Sequence, residues 1–256
     1  ILEEHDSMTR VLRAELAGIR DKYRQPRRTE ITQAREAVYV APEEAEDREL
    51  IFLMDRFGYV KMIDPAAAGR NASSLESDYK FHFPCRSHGR ICLFTGTGRL
   101  HTVRVADVPM GKLRDKGIPV DNISGYDSTQ EEIVQAVSQS DLNLYRLLFV
   151  TKQGLVKIVS GGEFETRLRT VNATKLSEGD MLCSVAVIRG GKYAVMVSSG
   201  GYLLKFPLSE ISQMKKTAAG MQGMKLSEGD TVDRAFVWGK GDPAEYTYHA
   251  TTVDLS

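Results

Sequence analysis

The chain has 256 residues, a hydrophobic share of 42%, a charged share of 27% and a formal net charge of zero. That length admits one large domain or two ordinary ones, and the composition is that of a soluble globular protein. It excludes a transmembrane helix, since no apolar run approaches the roughly 18 residues a span needs, and it excludes a chain that is basic throughout, so any basic face must be sought locally.

Residues 1–26 read as an amphipathic helix. Met8, Leu12, Leu16, Ile19 and Tyr23 recur at three- and four-residue steps, Val11 widens the stripe, and Pro26 ends it. Such a stripe needs a partner. The charged start at Ile1 and the strand-like ending TTVDLS read as a piece cut from a longer cytoplasmic protein. An acidic linker, PEEAEDRE, spans Pro42–Glu49.

After the linker, short β-rich runs alternate with Gly turns. An apolar strand, a turn and a second strand carrying a basic residue recur from Leu50, Arg90, Arg146 and Tyr193. Their turn glycines, Gly58, Gly98, Gly154 and Gly201, are 40, 56 and 47 residues apart. A fifth, irregular hairpin is expected from Ala235. The hexapeptide KLSEGD occurs at Lys175–Asp180 and again at Lys225–Asp230. It marks one place in two consecutive units, with Gly179 and Gly229 at positive φ and Asp180 or Asp230 bonding backbone amides. One carboxylate pair per turn is too few ligands for calcium. A period of this length with several strands per unit is that of a radial β array.

The charge is unevenly spread. Between residues 86 and 116 stand Arg86, Arg90, Arg99, Arg104, Lys112, Arg114 and Lys116, opposed by Asp107 and Asp115. Between 189 and 225, Lys205, Lys215, Lys216 and Lys225 belong to a second basic stretch opposed by Glu210 alone. Lys152, Lys157, Arg167 and Arg169 lie between them. Lys61, His101, Lys157 and Lys205 fall three or four residues after a turn glycine. They are therefore expected to line one edge of the array, one basic residue to each unit.

No catalytic or metal constellation emerges. The five histidines show no HExxH spacing. His82 and His88 near Cys85 lack a fourth ligand. Cys85, Cys92 and Cys183 form no CxxC pair and read as reduced thiols. GTG at Gly96 precedes a strand rather than a helix, so it is a hairpin turn and not a phosphate loop. Tyr59 and Tyr202 read as packing residues, and Trp238 as packing between units. No cofactor is expected.

Several stretches together resemble the C-terminal part of the A subunit of bacterial type IIA topoisomerases, DNA gyrase and topoisomerase IV. RVLRAELAGIRDKYRQPRRTEI is similar to the end of the family's coiled-coil arm. GYVKMI and GLVKIV match its hairpin turns, KGIPVDNI from Lys116 matches an inter-blade loop, and GGYLLKFPLSEISQMKKTAAGMQGMKLSEGD from Gly200 matches a whole blade. The resemblance implies an all-β fold, a β-pinwheel: a propeller-like ring of about five four-stranded blades, preceded by an N-terminal α-helix, with neighbouring blades exchanging strands. It places the arm's end and connector at residues 1–35 and the pinwheel at 36–256.

It also implies double-stranded DNA as a partner, bound without sequence readout and bent or wrapped for a catalytic core. The other implied partners are the ATPase B subunit of such an enzyme, with the rest of a homodimeric A subunit. The catalytic tyrosine and ATP site lie outside this fragment. Candidate DNA contacts are Lys61, Arg70, Arg90, Arg99, His101, Arg104, Lys112, Arg114, Lys116, Lys152, Lys157, Arg167, Arg169, Lys205, Lys215, Lys216 and Lys225. Gyrase carries a basic Gly-rich box after its first hairpin. Here that stretch is DPAAAGRNASSLESDYK from Asp64, which favours a topoisomerase IV-like role. The competing class is a propeller-like protein-interaction scaffold without DNA affinity.

Overall fold

The computed structural model describes residues 5–26, 29, 46–249 and 251–255. The chain forms two compact units, residues 1–45 and 46–256. The boundary expected after residue 35 and the first part of the acidic linker lie outside the described residues. In the first unit, α1 (His5–Tyr23) forms where the apolar spacing predicts it. Its stripe, Met8, Val11, Leu12, Leu16, Ile19 and Tyr23, is 40–67% exposed.

The second unit is built from hairpins that invade one another. β1 (Glu49–Asp55) and β2 (Tyr59–Ile63) make the first hairpin. After α2 (Pro65–Gly69) and α3 (Ala72–Asp78), β3 (Tyr79–Arg86) returns beside β1. β4 (Arg90–Thr95) and β5 (Arg99–Arg104) make the second hairpin. The chain then goes back: β6 (Ile118–Pro119) pairs with β2, and only afterwards does β7 (Ile133–Ser138) return beside β4. The excursion repeats. α4 (Gln139–Leu144) leads into β8 (Arg146–Thr151) and β9 (Leu155–Ser160), β10 (Thr170–Asn172) pairs with β5, and β11 (Leu182–Ile188) returns beside β8. Next come β12 (Tyr193–Ser198) and β13 (Leu203–Pro207), β14 (Met221–Gln222) on β9, and β15 (Val232–Trp238) beside β12. β16 (Glu245–Tyr248) and β17 (Thr251–Asp254) form a last hairpin.

The sheets are β3-β1-β2-β6, β10-β5-β4-β7 and β11-β8-β9-β14, then the three-stranded β13-β12-β15 and the two-stranded β16-β17. Three blades are thus four-stranded and share strands as a pinwheel does. The expected fifth hairpin from Ala235 divides: its first residues complete β15, and the later ones make β16 and β17.

The core lies between blades. One apolar cluster joins Phe52 and Met62 of the first sheet to Ile91 and Leu93 of the second. A second joins Phe94 to Phe149 and Phe164, and a third joins Leu148 and Ile158 to Met196 and Val232. The first three sheets bury apolar side chains on both faces, and burying a side chain such as Phe149 contributes about 1.5–3 kcal/mol. The returning strands β3, β7, β11 and β15 touch one another in sequence and line a cavity of 530 Å³. The short strands β6, β10 and β14 form the outer edge of their sheets.

The turns repeat as the sequence predicts. Gly58, Gly98, Gly154 and Gly201 have φ of 82°, 79°, 82° and 85° and close three- or four-residue loops. Gly179 and Gly229 of the duplicated hexapeptide have φ of 73° and 80°. Asp180 Oδ1 accepts from the amides of Gln153 and Met181 at 3.0 and 2.8 Å. Asp230 Oδ1 accepts from the amides of Gly200 and Thr231 at 2.8 and 2.9 Å and from the Ser199 hydroxyl at 2.7 Å. The hexapeptide therefore ties the start of each returning strand to the hairpin turn of its own blade. In the second blade Glu131 stands in this place, two residues before β7, and accepts from the hydroxyls of Thr95 and Thr97 at 2.6 Å each.

Where a basic box was sought, Asp64 caps α2 through the Ala66 amide at 2.8 Å and Pro65 opens the helix. Ala68 and Leu75 then pack on Leu53 and Ile63. An Ala- and Ser-rich sequence folds back on its own blade here.

Candidate nucleic-acid interface

The second strand of each hairpin does not present its cation to solvent. Lys61, His101 and Lys157 are 3%, 0% and 1% exposed, and Lys205 is half-buried. The expectation that these four line an edge is corrected. β2, β5 and β9 are inner strands, with a strand on either side and both faces covered, those of β5 and β9 by neighbouring blades and those of β2 by the second blade and by α2 and α3, so a polar group there must be satisfied inside. The Lys61 ammonium donates to the carbonyl of Leu113 at 2.7 Å and to that of Asp115. The Lys157 ammonium donates to the carbonyls of Lys216 and Ala218 at 2.8 and 2.7 Å. Burial pushes the Lys157 pKa down to about 8, against a smaller opposing pull from Glu163. Lys205 donates to the Leu255 carbonyl and lies 4.1 Å from the centre of a Trp238 ring. In the second blade His101 takes the position, with Nδ1 2.9 Å from the Thr170 hydroxyl and Nε2 3.2 Å from Glu131.

The exposed cations sit instead on the loops that lead into the outer strands. Before β6, Lys112, Arg114 and Lys116 are exposed, and the Lys116 ammonium lies 4.2 Å from the centre of the Tyr59 ring. Before β10, Arg167 and Arg169 are exposed. Before β14, Lys215 is exposed, while Lys216 is half-buried and donates to the Glu163 carbonyl at 2.9 Å. The first and third loops share their bonding pattern. Gly117 and Gly220, with φ of 80° and 115°, close them against the carbonyls of Val60 and Val156, and Lys112 and Lys215 occupy matching places. The loops thus carry exposed cations on a backbone held from beneath.

The remaining candidates are dispersed. Arg70 is exposed at the end of α2, its Nε donating to the Ala66 carbonyl at 3.1 Å. Arg104 is exposed but forms a bidentate pair with Asp107 at 2.8 and 2.9 Å, which raises its pKa. Arg99 is exposed, 3.9 Å from Glu131. Arg90 is half-buried and shares an open cleft with His88, Gln139, Asn143 and Arg167. Lys152 and Lys225 are exposed at the hairpin-turn end of their blades. Lys175, the equivalent of Lys225 in the first hexapeptide, is exposed too; the sequence reasoning passed over it although the repeat itself points to it.

Tyr202, expected to pack, is 66% exposed, and Trp238 packs on Tyr193 of its own sheet with ring centres 5.9 Å apart. Among the described residues no group of three or more His, Cys, Asp or Glu could hold a metal ion. Burial pushes the thiols of Cys85 and Cys92 up to about 12 and that of Cys183 to about 11, so none is a thiolate at neutral pH.

Comparison with known proteins places this geometry. A family model described as the DNA gyrase C-terminal domain, beta-propeller, matches residues 145–189 and 192–238, one match for β8 to β11 and one for β12 to β15. The DNA gyrase A subunit of Helicobacter pylori is 30% identical over 236 residues, which are 87% of this chain and 28% of that protein. Its counterpart in Lawsonia intracellularis is 28% identical over 235 residues, with 87% and 28% covered. The chain therefore spans under a third of the length of these relatives. Among solved structures, the C-terminal domain of DNA topoisomerase IV has a TM-score of 0.68 at 25% identity, covering 78% of this chain and 64% of that one. The E. coli ParC C-terminal domain, with a TM-score of 0.59 at 18% identity over 75% of this chain and 80% of that one, shares the fold. So does the DNA gyrase A C-terminal domain, at 0.53 and 16% over 77% and 67%.

Proposed function

We propose, on the premise that this chain is a C-terminal pinwheel of the kind carried by gyrase A and topoisomerase IV, that it binds double-stranded DNA along its outer strands without reading base sequence. The observation that carries this reading is the recurrence of exposed cations on successive exchange loops: Lys112, Arg114 and Lys116, then Arg167 and Arg169, then Lys215. Each loop precedes an outermost strand, so a duplex following that edge meets cations blade after blade. The bound segment is bent and presented to the catalytic core of a type II topoisomerase, whose catalytic tyrosine and ATP site lie elsewhere. The parent is an ATP-dependent enzyme acting on the nucleoid in the cytoplasm. It joins this chain to the rest of a homodimeric A subunit, with a separate ATPase partner. The fragment does no chemistry of its own and takes no cofactor.

Bending of the topoisomerase IV kind fits better than full wrapping. The stretch after the first hairpin is two short Ala- and Ser-rich helices with Arg70 as its one Lys or Arg before Lys80. The loop cations also thin out from the first blade to the third.

The test is binding of the chain to relaxed circular DNA over a salt series, followed by relaxation with a type I topoisomerase. Salt-sensitive binding with an unchanged topoisomer distribution is expected. Replacing Lys112, Arg114 and Lys116 together by Ala lowers the salt slope by about three. Trapped writhe moves the reading to a gyrase-like role. Absence of binding at low salt overturns it in favour of the interaction scaffold.

A further inference from the structure

Lys61 and Lys157 are buried cations with no carboxylate in ion-pair contact among the described residues. An apolar side chain would fill such a site without the cost of desolvating a charge. Both ammonium groups do the same thing in different blades. Each reaches two main-chain carbonyls, two residues apart, in the loop before an outer strand: Leu113 and Asp115 for Lys61, Lys216 and Ala218 for Lys157. The residue between each pair of carbonyls, Arg114 or Thr217, is exposed, and so is the cation just before the fork, Lys112 or Lys215.

The second blade lacks this lysine but fastens its loop at two carbonyls as well. The Thr102 amide donates to the Arg169 carbonyl at 2.8 Å, and the Thr102 hydroxyl donates to the Leu168 carbonyl at 2.9 Å. Three loops of different sequence are therefore pinned twice each from an inner strand, and each carries solvent-facing cations. In the fourth blade Lys205 donates to one carbonyl, that of Leu255, and the described residues 251–255 around it carry no Lys or Arg.

We infer that Lys61 and Lys157 are positioning residues for the DNA-binding edge: through a fork of main-chain carbonyls they set the exchange-loop cations in place without touching DNA. The inference rests on the reading of that edge as a DNA surface. Pinning lowers the conformational entropy that the loop loses when its cations engage phosphates.

The test uses Lys61→Met and Lys157→Met, which keep side-chain length and remove the donors, with Lys205→Met as control. Salt-dependent affinity for a short duplex and amide hydrogen exchange of residues 112–118 and 215–221 are both measured. Each of the first two variants is expected to speed exchange in its own loop, to weaken DNA binding by about tenfold and to lower the salt slope by about one, as if a phosphate contact were lost. Lys205→Met is expected to bind DNA as the unmodified chain does. Gly220→Ala, whose Cβ would meet the Val156 carbonyl at 2.9 Å, loosens the third loop without altering Lys157 and is expected to reproduce its loss if Lys157→Met does not fold. Loops that loosen while affinity and slope stay unchanged overturn the inference, as does an equal loss in Lys205→Met. If the unmodified chain shows no salt-sensitive binding, the DNA reading itself fails, and the exchange data still report whether the lysines pin the loops.

Discussion

The Asp180 carboxylate accepts a hydrogen bond from the Gln153 amide at 3.0 Å, joining the end of KLSEGD to the turn of the hairpin its own strand will flank. Asp230 makes the same link to Gly200 at 2.8 Å. The letter-for-letter repeat is thus a latch between a returning strand and a hairpin turn, used in the third and fourth blades. Asp180 is buried, so Asp180→Ala is expected to cost about 1.5–3 kcal/mol through loss of charge-assisted bonds to two part-buried amides. Asp230→Ala, at a more exposed turn, costs less. Urea unfolding of both variants checks the order, and equal losses contradict it.

Glu131 takes the same place in the second blade with a different chemistry. Burial pushes its carboxyl pKa up, but the hydroxyls of Thr95 and Thr97 and the His101 ring together hold it below the usual carboxylate value. A carboxyl depressed in the folded state contributes stability above its unfolded pKa, about 4.3, and loses it as pH falls through the folded value. Glu131→Gln has no such proton linkage. The stability gap between the unmodified chain and Glu131→Gln is expected to narrow from pH 6 to pH 3, and a constant gap contradicts this.

Two glycines with nearly the same φ differ in what surrounds them. At Gly179, φ is +73° and a Cβ would meet nothing within 4 Å; at Gly154, φ is +82° and a Cβ would sit 2.3 Å from the Met224 carbonyl. Gly179→Ala is expected to cost about 1 kcal/mol for the left-handed backbone alone. Gly154→Ala is expected to cost at least about twice as much, because the segment after β14 must also move. Denaturation midpoints at constant m-value measure the difference.

Lys157 makes stability depend on alkaline pH with an unusual sign. Its folded pKa of about 8 lies below the ordinary lysine value of 10.5. Between those values the unfolded chain binds the extra proton, so this group makes stability rise with pH across that window. Between pH 7.5 and 10 the unmodified chain is expected to gain stability relative to Lys157→Met. Parallel pH profiles for the two proteins contradict the burial of the charge.

Much of the fold was legible because its signals are local. Turn glycines such as Gly58 and Gly154 announce themselves between apolar runs, and the duplicated hexapeptide marks the unit. The basic residues in VKM, VKI and LLKF were harder to read. A lysine flanked on both sides by apolar residues is the mark of a strand buried on both faces, not of an amphipathic one. Read as amphipathic strands, they pointed outward. Lys112, Arg114, Lys116, Arg167, Arg169 and Lys215 were found by charge alone, with nothing in their spacing to say that they stand on matching loops.

The hairpins, their order, the turn geometry and the lack of any metal or nucleophile motif follow from the residues alone, since each depends on residue types a few positions apart. Which strand belongs to which blade does not. β6, β10 and β14 are two or three residues long and pair with hairpins made much earlier in the chain, so their place is set by the surface that awaits them rather than by their own composition. The same exchange carries the basic loops to the outer edge and brings their carbonyls over Lys61 and Lys157. Whether a lysine meets phosphate or a buried carbonyl is therefore decided by packing between blades, which no local pattern encodes.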